Sequence, residues 1–266
     1  MSIPANRITT KLAALYASNK KALVPFITAG DPSKESTVEI MHALVKGGAD
    51  IIELGVPFSD PMADGPTIQR SSERALERGV NTDFIFASVK KFREQDNETP
   101  VVLMGYLNPI EMRGLDTYAG QAVQAGVDGV LLVDLPPEEA APMRVAFNQH
   151  GLNLISLAAP TTTPERLHRL ATESQGYLYY VSFAGVTGAS GIDTADVLSK
   201  AGALRKQVPV MIGFGIRDAA SAKALAPAAD GIVIGSALVE ALAASQHPAD
   251  TAEAFLKPIR DALDSI

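Results

Sequence analysis

Short apolar segments alternate with helix-like segments along almost the whole chain, and this alternation constrains the fold more than any other feature. Eight apolar segments have the length of strands: 23–29, 50–56, 100–106, 129–134, 152–158, 177–182, 209–214 and 231–234. Such runs are typical of parallel strands that helices cover on the outside. Eight strands, each followed by a helix, over about 250 residues predict an α/β fold, the parallel eight-stranded (β/α)8 TIM barrel.

The first 22 residues are basic and contain no acidic residue, which resembles a targeting segment. Ile8, Leu12 and Leu15 nevertheless keep helical spacing, so we predict an extra N-terminal helix that belongs to the fold. No linker rich in Gly, Pro or Ser divides the chain, and we expect residues 1–266 to form one barrel domain. The alternative is a doubly wound open sheet, which usually carries Gly-x-Gly-x-x-Gly after its first strand. The segment 28–32, Thr-Ala-Gly-Asp-Pro, is unlike that motif.

Three short segments repeat one pattern: the end of a helix, an aspartate, and then a buried strand. They are Gly-Gly-Ala-Asp-Ile-Ile at 47–52, Ala-Gly-Val-Asp-Gly-Val at 125–130 and Ala-Ala-Asp-Gly-Ile-Val at 228–233. This internal repetition fits repeated strand–helix units with one apolar layer between sheet and helices.

The composition argues against several classes of function. The net charge of −7 disfavours nucleic-acid binding. The absence of cysteine removes disulfide and thiolate chemistry. No apolar run approaches the roughly 20 residues of a membrane span. None of the four histidines has a partner at ligand spacing, so we expect no metal site.

Two acidic residues stand out in and after the second strand. Alternation along a strand places Glu53 on the same face as Ile51 and Gly55, and in a barrel that face points inward. Burial would raise the pKa of the Glu53 carboxyl toward the range useful for proton transfer. Asp64 follows in a proline-rich loop and could serve the same site. Alternatively, Glu53 pairs with a buried Arg or Lys, and Asp64 caps the helix that begins near Thr67.

Two late loops have the features of a phosphate site. Gly213-Phe-Gly-Ile-Arg follows the seventh strand, and Gly235-Ser236 follows the eighth at the start of a helix. Glycines let backbone N–H groups approach an anion, and barrel phosphate sites commonly use these two loops. The alternative is that the glycines only form tight turns.

A third glycine cluster, 185–191, follows the sixth strand and could be a lid that orders over substrate or a slack connection. Within it, the hydroxyl of Thr187 could orient a carboxylate such as Asp64. Five apolar residues in strand interiors would fill the barrel or, near its mouth, line a pocket for a flat apolar group. They are Phe26, Met104, Leu131, Tyr179 and Phe214.

Several motifs, in order along nearly the whole chain, resemble the alpha subunit of tryptophan synthase. The most specific is Glu-Leu-Gly-Val-Pro-Phe-Ser-Asp-Pro-Met-Ala-Asp-Gly-Pro at 53–66. The others are Pro-Phe-Ile-Thr-Ala-Gly-Asp-Pro at 25–32, Asp-Leu-Pro-Pro-Glu-Glu at 134–139, Gly-Val-Thr-Gly at 185–188, Gly-Phe-Gly-Ile at 213–216 and Gly-Ser at 235–236. The resemblance implies a lyase that cleaves indole-3-glycerol phosphate to indole and glyceraldehyde 3-phosphate.

The same resemblance implies a role for each matching residue. Glu53 would be the general acid/base that protonates the indole ring carbon and handles the glycerol hydroxyl. Asp64 would stabilise charge at the indole nitrogen. Tyr179 would lie near the glycerol, and Thr187 would contact the second acid. The phosphate would be bound by Gly188, Gly215, Gly235 and Ser236. The walls around the indole would be Phe26, Met104, Leu131 and Phe214.

The resemblance also implies a partner. A tryptophan synthase beta subunit would bind at Pro57, Asp60, Pro61 and Asn108, giving an alpha2beta2 heterotetramer in the cytoplasm. Pyridoxal phosphate would reside in that partner, and this chain would hold no cofactor.

Three other functions remain open from the sequence. One is a stand-alone lyase that releases indole without a partner. Another is a non-catalytic allosteric partner that has kept its phosphate site, although the presence of Glu53 and Asp64 argues against it. The last is a different phosphate-binding isomerase, which the 53–66 motif does not fit.

Overall fold

In a computed structural model that describes residues 6–181, 194–213 and 215–266, parallel strands close into a barrel in chain order. The strands are β1 Ala22–Thr28, β2 Ile52–Gly55, β3 Val101–Gly105, β4 Gly129–Leu132, β5 Asn153–Ala158, β6 Leu178–Val181, β7 Val210–Gly213 and β8 Gly231–Ile234. Each strand pairs in parallel with the next, and β8 pairs with β1. The predicted barrel is therefore confirmed, and the open sheet is wrong.

Twelve helices lie within the described ranges. They are α1 Arg7–Ala17, α2 Ser36–Lys46, α3 Pro66–Glu77, α4 Thr82–Arg93, α5 Asn108–Arg113, α6 Leu115–Ala125, α7 Ala141–His150, α8 Pro164–Glu173, α9 Thr194–Leu204, α10 Ala219–Leu225, α11 Ser236–Ala243 and α12 Pro248–Asp264. A search of the described residues finds no helix that is both long and apolar enough to cross a membrane.

The helix starts show how local chemistry sets the boundaries. The Thr163 hydroxyl accepts the Arg166 N–H at the start of α8, as its position before Pro164 predicts. Helix α2 begins at Ser36, and the Ser33 hydroxyl accepts the Ser36 N–H at this start.

A short additional helix, α5, follows β3 directly. Pro109 occupies an early helical position, where its missing N–H costs nothing. In addition, a carboxylate oxygen of Asp134 accepts the Leu107 N–H at 2.9 Å. That contact joins residues 27 positions apart, so local sequence patterns do not show it.

Two apolar layers hold the barrel together. The outer layer, between strands and helices, contains Ile52 and Leu54 of β2. The layer inside the barrel is formed by Ile8, Ala22, Val24, Ile51, Val102, Leu131, Ile155, Tyr177, Tyr179, Met211 and Val233. Ile8 of α1 is fully buried in this inner layer, which confirms that the N-terminal helix belongs to the fold.

The three repeated aspartates perform one structural task at the N-terminal ends of the strands. Asp50 accepts the Leu23 N–H, Asp128 the Val101 N–H and Asp230 the Val210 N–H, each at 2.9 Å. Each carboxylate also pairs with an arginine, namely Arg260 of α12, Arg93 of α4 and Arg205 directly after α9. The repeated aspartates therefore join the N-terminal ends of the strands to the arginines around the barrel.

Replacing Asp128 by alanine is expected to destabilise the fold strongly. The carboxylate is 3% exposed and pairs with Arg93, which is 8% exposed, so the substitution removes the carboxylate partner of a buried cation. Breaking a buried pair typically costs about 3–5 kcal/mol in the free energy of unfolding. Urea denaturation measures this loss in the free energy of unfolding. As a control, Glu138→Ala removes the exposed partner of Arg166 and should cost at most about 1 kcal/mol. Equal effects of the two substitutions would contradict this account.

Candidate active site

Glu53 is a buried carboxylate inside the barrel. It belongs to β2, lies beside Phe26 of β1 and Val102 of β3, and has no exposed surface. Its Oε1 accepts a hydrogen bond of 2.7 Å from the hydroxyl of Tyr177. Its Oε2 is buried without a hydrogen-bond partner, and no Lys or Arg in the described ranges pairs with the carboxylate. The predicted burial is confirmed, and the alternative of a buried ion pair is wrong.

This environment sets the protonation of Glu53. Burial raises the pKa of the carboxyl from 4.5 to about 7, and the Tyr177 hydrogen bond opposes that shift only in part. A carboxyl with a pKa near neutrality is present in both protonation states at physiological pH, so it can give and take a proton. The bare Oε2 is the atom at which a reacting group could exchange that proton.

Tyr177 is a contact of Glu53 that the sequence analysis did not single out. It is fully buried and holds Glu53 from across the barrel, 124 residues later in the chain. Alternation from Tyr179 places Tyr177 on the same inward face, and that signal could have found it. The hydrogen bond fixes the orientation of Glu53 Oε1 and leaves Oε2 free.

Tyr179 lies inside the barrel on β6, and its hydroxyl approaches β7. A Cβ added at Gly213 would lie 2.1 Å from the Tyr179 hydroxyl oxygen and 2.5 Å from Cζ. Burial, followed by the charge of Glu53, raises the pKa of Tyr179 well above its usual value. Because Gly213 has no Cβ, the Tyr179 side chain can occupy this position in the barrel interior.

Gly213→Ala is expected to displace Tyr179 and lower kcat/KM by on the order of tenfold, because misplacing a group near the chemistry is costly. A steady-state assay of the lyase reaction that the resemblance implies measures it. Gly202→Ala in α9 is the matched control, since no atom outside its own stretch of helix lies within 4 Å of the Cβ that it adds. Wild-type kcat/KM in Gly213→Ala would contradict the placement of Tyr179 at the site.

Asp64 lies half-buried in the loop between β2 and α3. Burial raises the pKa of its carboxyl from 3.8 to about 6, and a hydrogen bond with the Tyr106 hydroxyl opposes the shift. Gly65, not Asp64, is the N-cap of α3, and that cap makes no side-chain hydrogen bond. The alternative in which Asp64 caps the helix is therefore wrong, and the carboxylate remains available to a ligand.

Three apolar residues surround this end of the barrel. Phe26 is 8% exposed, and its ring covers Gly55, where an added Cβ would lie 2.5 Å from Phe26 Cζ. Met104 is half-buried and neighbours the fully buried Leu131 across β3 and β4. Leu131 therefore packs in the barrel interior, whereas Phe26 and Met104 retain surface toward the mouth.

The loops after β7 and β8 have backbone features that are suited to binding an anion. Gly215 is exposed and has a φ of 76°, a conformation that favours glycine. Gly235 is the N-cap of α11 without a side-chain hydrogen bond, and the exposed Ser236 begins that helix. The first N–H groups of a helix are free to bind an anion. Both loops follow the C-terminal ends of their strands.

Three predicted site residues lie outside the described residues: Thr187, Gly188 and Phe214. The predicted lid at 185–191 lies there as well.

The residues expected to meet a partner lie at the same end of the barrel. Asp60 and Asn108 are exposed, Pro61 is half-buried and Pro57 is buried beneath them. Next to them stand two large exposed apolar side chains, Met62 at 82% and Met112 at 81%.

A cavity of about 600 Å³ opens at the opposite end of the barrel, between α1 and α12. Four of its charged residues pair with one another: Arg260 lies 2.9 Å from Asp264 and 3.0 Å from Asp50, and Lys20 lies 3.7 Å from Asp264. Glu53 and Asp64, whose carboxyl pKa values are raised to about 7 and about 6, belong to β2 and to the loop that follows it, so the candidate site is at the C-terminal ends of the strands, as in barrel enzymes generally.

A family model for the tryptophan synthase alpha chain matches residues 12–263. The chain belongs to the tryptophan synthase alpha chain family. It is 61% identical over 264 residues to the tryptophan synthase alpha chain of Xanthomonas euvesicatoria pv. vesicatoria, covering 97% of this chain and 98% of that one. The alpha chain of Xylella fastidiosa strain M12 is 58% identical, with 98% and 99% covered.

Solved structures from the same family are similar to this chain in fold and in sequence. Tryptophan synthase subunit alpha from Legionella pneumophila has a TM-score of 0.91 at 45% identity, with 98% of this chain and 99% of that chain covered. The aminoacrylate-bound tryptophan synthase of M. tuberculosis gives a TM-score of 0.87 at 34% identity, with 97% and 100% covered. As a tryptophan synthase alpha chain by family, the protein is a lyase subunit of tryptophan biosynthesis.

Proposed function

We propose that Glu53 and Asp64 carry out the cleavage of indole-3-glycerol phosphate to indole and glyceraldehyde 3-phosphate. The observation that carries this proposal is the state of Glu53: a fully buried carboxyl with a pKa of about 7 and an oxygen without a partner. Retro-aldol cleavage needs an acid for the ring carbon and a base for the hydroxyl. A carboxyl that exists in both forms near pH 7 serves both needs.

Glu53 gives one proton and takes one proton back in each reaction cycle. The protonated carboxyl gives its proton to the indole ring carbon that carries the glycerol chain. The resulting carboxylate takes the proton of the glycerol hydroxyl as the carbon–carbon bond breaks. The hydroxyl carbon becomes the aldehyde of the product, and Glu53 recovers its starting state. The Tyr177 hydrogen bond supports these steps by keeping Oε1 fixed while Oε2 exchanges the proton.

Protonation of the ring carbon leaves positive charge at the indole nitrogen, and Asp64 is the group proposed to stabilise it. A half-buried carboxylate interacts more strongly with such a charge than an exposed one does. Thr187, as in the resemblance, would contact this second acid.

The remaining residues bind the substrate at both ends. Gly188, Gly215, Gly235 and Ser236 are proposed to hold the phosphate, which anchors the substrate away from the reacting bond. The indole would lie against Phe26, Met104, Leu131 and Phe214, and Tyr179 would lie near the glycerol.

A beta subunit is the proposed partner, in an alpha2beta2 assembly that receives the indole. It would dock on Pro57, Asp60, Pro61 and Asn108, and the exposed Met62 supports an apolar contact there. Pyridoxal phosphate would belong to the beta subunit, and no cofactor is proposed for this chain.

The test is indole release from indole-3-glycerol phosphate by the purified chain, alone and with a tryptophan synthase beta subunit. Slow release that rises sharply with the beta subunit is the expected result. Equally fast release without the partner would instead identify a stand-alone lyase. An absence of release in both samples would refute the catalytic proposal and leave an allosteric role.

A further inference from the structure

Phe26 faces the interior of the barrel beside Glu53. It belongs to β1, and its Cα pairs in register with that of Glu53 on β2. Val24, two residues earlier, belongs to the inner apolar layer, so alternation along the strand turns Phe26 to the same face. The side chain is 8% exposed. It is therefore a buried residue that still has some surface at the mouth of the barrel.

The Phe26 ring lies over Gly55, in the space that a side chain at residue 55 would fill. A Cβ added at Gly55 would lie 2.5 Å from Phe26 Cζ and 2.8 Å from Cε2. Gly55 is the next inward position after Glu53, at the C-terminal end of β2. The ring therefore lies on the mouth side of Glu53, and the absence of a side chain at residue 55 leaves room for it there.

The other end of the same side chain lies at the predicted phosphate loop. A Cβ added at Gly235, the N-cap of α11, would lie 3.5 Å from Phe26 Cβ and 3.6 Å from Cδ1, which is ordinary contact. The Phe26 side chain thus extends from the loop after β8 to the inward face of β2. It lies between the proposed phosphate site and the strand that carries the proposed acid.

A side chain at residue 55 is expected to displace the ring and leave the barrel intact. The atoms that would clash are at the far end of the Phe26 ring, which rotation about the side-chain bonds can move. The nearest backbone atom, the carbonyl oxygen of Ile27, would lie 3.3 Å from the added Cβ, so the strands would need to shift only slightly. At Gly235, by contrast, an added Cβ would meet the Phe26 side chain only at 3.5 Å. Residue 55 therefore controls where the ring lies.

We propose that Gly55 is a specificity-determining residue: because it has no side chain, the Phe26 ring is seated across β2 as a wall for the flat aromatic part of the substrate. This inference rests on the proposed function, in which the indole lies against Phe26. Aromatic surfaces in contact stabilise a complex beyond the apolar area that they bury. Such a wall contributes to binding in the substrate complex and in the transition state alike, so it should affect KM more than kcat.

The test is Gly55→Ala, with kinetics measured in the presence of the beta subunit. KM for indole-3-glycerol phosphate should rise on the order of tenfold while kcat falls by less than about threefold. The chain alone should bind indole, the aromatic product, on the order of tenfold more weakly in an NMR titration. Its affinity for glyceraldehyde 3-phosphate, the other product, should stay within about twofold, because the phosphate loop is left unchanged.

A double-mutant cycle with Phe26→Leu isolates the contact between the two residues. Leucine lacks the ring atoms that would clash with a Cβ at residue 55, so Gly55→Ala should change indole affinity by less than about twofold in that background. Equal effects of Gly55→Ala in the wild-type and Phe26→Leu backgrounds would overturn the proposal. Gly202→Ala in α9 is the control for the substitution itself and should match the wild type in every measurement.

Gly55→Ala with wild-type KM and wild-type indole affinity would overturn the role of Gly55 and leave the lyase function intact. Equal weakening of both products, or a fall in kcat at constant KM, would likewise overturn it, because neither result is specific to an aromatic wall. A wild-type chain that releases no indole, with or without the beta subunit, would instead refute the proposed function and, with it, the role of Gly55.

Discussion

Replacing Glu53 with glutamine is expected to lower kcat by about 10³-fold or more, since one group supplies both the acid and the base of the reaction. Glutamine has nearly the same shape, and its carbonyl can still accept the Tyr177 hydrogen bond. It cannot give or take the proton. The substrate dissociation constant, measured by calorimetry, should remain within a few-fold of the wild-type value.

Glu53→Gln is also expected to change the stability of the fold, in a direction that the pKa of Glu53 determines. The carboxyl pKa is raised from 4.5 to about 7 in the folded chain, so the folded state binds the proton more tightly than the unfolded state. Stability from this group is complete below pH 4.5 and is lost as the pH rises through about 7. At pH 8, Glu53→Gln should therefore be more stable than the wild type, by up to about 3 kcal/mol.

The control for both effects is Glu138→Gln, which removes a carboxylate from the exposed pair with Arg166. It should leave turnover unchanged and change the free energy of unfolding by at most about 1 kcal/mol. Substantial turnover by Glu53→Gln would remove Glu53 from the acid/base role, whatever its burial.

The second large effect is expected for Asp64→Asn, which should lower kcat by about 10²-fold or more. The amide keeps the size of the side chain, but it carries no charge to stabilise the indole nitrogen. Because that charge develops only during the reaction, KM should change little.

Glu73→Gln in α3 is the matched control for Asp64→Asn, since it removes an exposed charge on the helix that follows the loop. Its kcat should equal that of the wild type. A loss in Asp64→Asn that appears as raised KM with unchanged kcat would assign Asp64 to substrate binding alone.

The barrel could be predicted from sequence because its signal is repeated and local. Each strand is an apolar run of the right length, and alternation within 50–56 placed Glu53 inward without knowledge of its neighbours. The aspartates at 50, 128 and 230 showed the repeat, although the hydrogen bonds that they accept became visible only in the structure.

The parts that could not be predicted depend on contacts between distant strands. Tyr177 reaches Glu53 across the closed barrel, and Tyr106 reaches Ala63 from 43 residues away. Nothing in the local sequence around Glu53 indicates that its partner is a hydroxyl and not a cation. The chemical nature of this partner decides the pKa of Glu53, because a cation would have lowered that pKa.

The most direct test is a carbon-13 NMR titration of the Glu53 side-chain carboxyl in the wild-type chain, with Glu53→Gln used to assign the resonance. We expect a midpoint near pH 7, displaced from the ordinary value of 4.5 by burial. A midpoint near 4.5 would mean that Glu53 is ionised throughout the working range and cannot be the acid that protonates the indole ring.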